Sequence, residues 1–149
     1  MGGVPYRYVF ETKDDVTQAL QALRAREFAA GRFNPSMPMH MGTHGQDFFQ
    51  KTARHGFASI AEAREAADAD GTRSILDIGK VGPQRDYGVA GLLDDEALDR
   101  LFDTTKPTAA MIDESDVLED IERGMAVAFA VYDEAGARIG WAFCGYSYD

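Results

Sequence analysis

The chain has 149 residues, one Cys, and a formal charge of −10 from 25 acidic and 15 basic residues. That length predicts one domain, 1–149, able to bury a core without disulfides or a structural metal. The charge disfavours nucleic acid and anionic membranes as partners, because both select positive patches, and the longest apolar run, 125–132, is far short of the roughly 20 residues that span a bilayer.

In chain order, residues 6–10 (YRYVF) are aromatic and β-branched and read as a first strand. Asp15 followed by Gln18 resembles a capping box, and Val16, Ala19, Leu20 and Leu23 recur at helical spacing, so a helix of about 15 residues is expected, with Gly31 closing it. Residues 32–57 are irregular, broken by Pro35 and Pro38, with room for a short helical turn at 47–54. Ser59 with Glu62 opens a second helix through about Ala69, whose small buried face is Ile60, Ala63 and Ala67. Residues 74–78 (SILDI) read as a second strand.

Residues 79–91 contain four Gly and one Pro and read as a loop. Asp94 or Asp95 caps a third helix with Leu98, Leu101 and Phe102 on one face. A fourth helical stretch is expected over 108–123, with Val117, Leu118 and Ile121 inward. Residues 125–132 and 138–146 flank a turn at Gly136 and read as a β-hairpin. Val127, Phe129 and Val131 alternate with Ala126, Ala128 and Ala130. In the partner strand, Ile139, Trp141 and Phe143 alternate with Gly140, Ala142 and Cys144. Both faces are apolar, which predicts central strands covered on both sides, with the 59–69 helix on the Ala face. The expected class is α+β: about four strands, mainly antiparallel, with helices packed on the sheet.

The charge is a local feature. Residues 1–75 hold 9 basic and 9 acidic side chains, whereas 76–149 hold 6 and 16. Within 94–122 there are eleven acids against Arg100 and Lys106. Asp94, Asp95 and Glu96 suit a helix start, where the dipole favours anions. Asp99, Asp103, Glu119, Asp120 and Glu122 are not explained by that start and form a candidate surface for a basic protein partner. A plain solvated face is the alternative reading.

A second candidate is 37–45, MPMHMGTHG, where Met39, His40 and His44 are followed by Arg54 and His55. Met commonly fills irregular gaps. Alternatively, this segment lids a small-molecule pocket, with a His as acid or base and Arg32 or Arg54 for an anion. Thioether and imidazole ligands suit Cu(I) or Zn, which makes His40 and His44 metal candidates, although no metal or cofactor is assigned. Residues 66–77 can be laid on a calcium-loop template but lack its first and last ligands, and they read as a helix end. Cys144 reads as a packed thiol, with a Cys–His nucleophilic pair as the alternative. Lys80, Arg85 and Tyr87 lie in the Gly-rich loop and are positioned in sequence to meet an anion. No phosphate loop, GxSxG, HExxH or zinc spacing is present.

These readings favour a small, cytoplasmic, non-enzymatic binding protein of the immunity or inhibitor kind. Its lone Cys and the absence of a secretion signal at MGGVPYRYVF underlie the compartment.

Overall fold

The computed structural model describes residues 3–35 and 56–148. The class is α+β. Strand β1 (Pro5–Glu11) leads into helix α1 (Val16–Ala30), and helix α2 (Ile60–Ala67) runs into 3-10 turns at Asp68–Asp70 and Ile75–Asp77. Strands β2 (Lys80–Gly82) and β3 (Val89–Leu92) precede helices α3 (Asp95–Phe102) and α4 (Ala109–Asp113), and strands β4 (Ala126–Tyr132) and β5 (Arg138–Tyr146) end the fold. The sheet has five strands in the order β1-β5-β4-β3-β2. It is mixed: β1–β5 and β4–β5 are antiparallel, whereas β2–β3 and β3–β4 are parallel. This corrects the four-stranded, mainly antiparallel expectation.

The local signals for the helices hold. Asp15 caps α1 by accepting the Gln18 N–H at 2.8 Å, and Gly31 closes it at φ 71°, a left-handed conformation that costs glycine little. Ser59 accepts the Glu62 N–H at the start of α2. Asp94 accepts the Ala97 N–H at 2.8 Å at the start of α3.

Three stretches differ from their sequence pattern. Residues 74–78 form a 3-10 turn in place of a strand. Ser74 Oγ accepts the Leu76 N–H, and the Asp77 carboxylate accepts the Thr72 N–H, so local side-chain bonds replace a ladder. Ile75, Leu76 and Ile78 are still fully buried, so the apolar run reported core position. The 79–91 stretch is not a simple loop, because it supplies β2 and much of β3. These strands are short and Gly-rich, and the chain crosses itself closely there: a Cβ on Gly91 would lie 2.3 Å from the Arg85 nitrogen. The fourth helix stops at Asp113. Ser115 returns its hydroxyl to the Ile112 carbonyl at 2.7 Å, and i→i+3 turns carry the chain onward. Val117, Leu118 and Ile121 are buried as expected, but from turns.

The sheet is covered on both faces. One cluster packs Leu20, Leu23, Phe33 and Ala63 with Ile75, Leu76, Ala126, Ala128 and Phe143. The other packs Leu98, Ile112, Val117 and Leu118 with Val127, Phe129, Val131 and Cys144. The large and Ala faces of β4 therefore separate as its alternation predicts. The helix packed on β4 and β5 is α1, whereas α2 packs on the 3-10 turns. Ile139 also departs from its expected face. A register irregularity beside Val131 and Tyr132 puts it with the second cluster, away from Trp141 and Phe143.

Candidate functional site: an acidic layer

Helix α3 is held by Leu98, which is buried, and by Leu101 and Phe102, which pack on the second cluster. Helical spacing then turns Asp95, Glu96 and Asp99 to solvent. Asp103 ends the helix at φ 57°, with its N–H on the Asp99 carbonyl at 2.8 Å. Left-handed backbone is tolerated by Asp better than by most residues, so Asp103 has a local backbone role as well as a charge. Further on, Ile112, Val117, Leu118 and Ile121 anchor the chain, while Asp113, Glu114, Asp116, Glu119, Asp120 and Glu122 stay outside. All eleven acids of 94–122 are exposed, on the layer that covers one face of the sheet.

None of these acids forms an ion pair among the described residues. Among the described residues the ion pairs are Arg26–Glu27 and Arg32–Glu27, both in the opposite layer. Arg85 reaches this layer, but its Nη2 donates to the Asp120 backbone carbonyl at 2.6 Å. Lys106 lies over the Tyr132 ring, 5.8 Å from its centroid.

An open cleft of about 350 Å³ lies beside the layer, lined by Pro83, Gln84, Arg85, Leu92, Leu93 and Val127. It sits between the β2–β3 connection and the end of β3, and Asp94, the α3 cap, follows Leu93 directly. Leu92 is 42% exposed, so the cleft has an apolar wall.

The other sequence candidates fall differently. Arg32 donates from Nε and Nη2 to Glu27 at 3.0 and 2.7 Å, so its guanidinium is engaged by a buried carboxylate. That bond also raises its pKa further, keeping it charged. Met39, His40, His44, Arg54 and His55, with the helical turn expected at 47–54, lie outside the described residues. Cys144 is fully buried, and burial pushes its thiol up to about 12. Tyr87 is exposed and stacks on Tyr148 at 6.3 Å, and Lys80, at the start of β2, and Arg85, in the β2–β3 connection, are both exposed. Asp68 and Asp70 of the calcium-loop overlay fall on a 3-10 turn, while Asp77 points inward to Thr72.

Two buried acids were missed by the sequence reading. Glu27 lies four residues after Leu23, on the same stripe as Leu20, so the helical period already placed it inside. Asp77 sits among apolar neighbours with no comparable signal. Burial raises its pKa, and bonds from Thr72 partly oppose the rise. The Thr72 and Ser74 hydroxyls lie 2.9 Å apart beside it.

Comparison with family models, with curated proteins and with solved structures finds no match. No helix of the described residues is long and apolar enough to cross a membrane.

Proposed function

We propose that the protein is a non-enzymatic binding module, of the immunity or inhibitor kind, that docks a basic protein partner through its acidic layer. The observation that supports this is the exposure of all eleven carboxylates of 94–122 without an ion pair to any of them among the described residues. A concentrated negative field accelerates encounter with a positive partner and disfavours like-charged ones. Asp99, Glu119, Asp120 and Glu122 contribute charge beyond any helix-capping role, and Asp103 adds to it at the α3 terminus. The adjoining cleft, with Leu92 on its wall, offers an apolar anchor within the charged rim, the usual division between a central anchor and a polar periphery.

The test is capture from the native host on immobilised full-length chain, repeated over a salt series and with the triple variant Asp99→Lys, Asp103→Lys, Glu119→Lys. A captured basic protein whose binding falls steeply with salt and is lost in the variant supports the reading. Binding that is indifferent to both salt and charge reversal removes this face as the docking surface.

A further inference from the structure

Among the described residues, the strand order leaves β1 with one neighbour, β5, and one open edge. The register makes Val4 oppose Ser147 and Thr12 oppose Ile139, and both pairs are hydrogen-bonded: Ser147 N–H to Val4 O at 3.0 Å, and Thr12 N–H to Ile139 O at 3.1 Å. Antiparallel ladders alternate, so the even residues of β1 aim their main-chain groups at β5. The main-chain groups of Arg7, Val9 and Glu11 therefore face the open edge. Pro5 fits the same phase, because its position is one where no N–H is needed for the β5 ladder.

Arg7 and Glu11 are exposed and belong to no ion pair among the described residues. They lie on the same face of the strand, two residues either side of Val9. Charged side chains and Pro commonly shield a sheet edge from pairing, and Pro5, Arg7 and Glu11 act that way toward an edge that does not match them. Here opposite charges sit symmetrically about one residue, and reversing the strand brings each onto its opposite. β1 belongs to the neutral part of the chain, although in space Val9 packs on the second cluster and α4 contacts β1.

We propose that the open edge of β1 pairs antiparallel with β1 of a second copy of this chain, on a twofold axis through Val9. Val9 then opposes Val9 of the second copy, and Arg7 opposes its Glu11, twice by symmetry. All of these are outward-facing positions, as hydrogen-bonded pairs require. On the opposite face, Tyr8 meets Phe10, an aromatic cross-strand pair. Neighbouring registers lose the match. A shift of two sets Arg7 or Glu11 against Val9, and a shift of four sets Arg7 against Arg7 or Glu11 against Glu11. The product is one continuous sheet across two chains, with the β1 edges closed.

Sedimentation of the full-length chain over a concentration series is the test. The wild type is expected to reach twice the chain mass. Arg7→Glu and Glu11→Arg alone each place like charges opposite one another and should weaken the dimer about tenfold or more. An equimolar mixture of the two variants should recover dimer, because their strands are then complementary, and the double variant R7E/E11R should recover it alone. Val9→Pro removes an outward N–H without touching the β5 ladder, so it should give a folded monomer by circular dichroism. A wild type that stays monomeric at all concentrations overturns the proposal, as does a dimer unaffected by Val9→Pro. Failure of both the mixture and the double variant to recover dimer overturns the Val9 register.

Discussion

On one side of the sheet, Glu27 is buried and its two carboxylate oxygens are held by Arg26 and Arg32 at 2.7–3.0 Å. On the other side, eleven carboxylates stand in solvent above an interior of Leu, Ile, Val and Phe. An acid taken out of water costs several kcal/mol unless it is partnered, whereas an exposed acid is stabilised by water itself. Partnering therefore says different things in the two layers. In the first it is a condition of folding. In the second, its absence costs the fold little and leaves the field free for another molecule.

Five measurements bear on this contrast. The largest effect lies under the acidic layer, where burial holds the Cys144 thiol at about 12 against the ordinary 9.0, leaving about a thousandfold less thiolate at neutral pH. A thiol reagent should leave the native protein unmodified and react at once in denaturant, whereas equal rates in the two states would mean the interior beneath that layer is open. Next comes Glu27→Ala, which strands Arg32, whose side chain is only 14% exposed. The expected loss is about 3–5 kcal/mol in urea unfolding, and a change below about 1 kcal/mol would show that the pair is not a condition of folding.

Asp77→Ala should cost less, about 1–3 kcal/mol, because it leaves the buried Thr72 N–H without an acceptor. The pH dependence has a definite sign. Burial raises the folded pKa of Asp77 above 3.8, so the native state holds its proton more tightly than the unfolded chain. The contribution from this protonation is present below the unfolded pKa and is lost as pH rises through the raised folded pKa. Melting of wild type and Asp77→Asn across that window should therefore show the wild type gaining, relative to the variant, as pH falls; a gain in the opposite direction contradicts burial as the dominant cause. The smallest stability effect is expected in the other layer, where Asp99→Lys or Glu119→Lys should shift unfolding by within about 0.5 kcal/mol. A loss of several kcal/mol there would mean that these acids hold the fold together.

Much of the helical part was legible because its signals are local. Asp15, Ser59 and Asp94 each accept an N–H three residues on, as their spacing from the first apolar residues predicts. Glu27 went unread, although its place on the Leu20–Leu23 stripe needs only the helical period. The acidic face was readable as a charge count, but its exposure depended on Leu98, Ile112, Val117, Leu118 and Ile121 all turning inward. The cleft at Leu92 had no sequence signal, since it forms between the β2–β3 connection and β3. Of the lid expected over 32–57, residues 36–55 lie outside the described residues, and Arg32 is engaged by Glu27.

Read alone, the sequence locates where helices begin, where the terminal hairpin turns, and which half of the chain carries the net charge. These depend on neighbours within a few positions. Tertiary contacts make strands of Gly-rich 80–82 and 89–92 and set α1 on the Ala face of β4. The physical reason is that strands this short and glycine-rich do not hold themselves in extended form. β3 exists because β4, some thirty-five residues further along, supplies the other half of its hydrogen bonds.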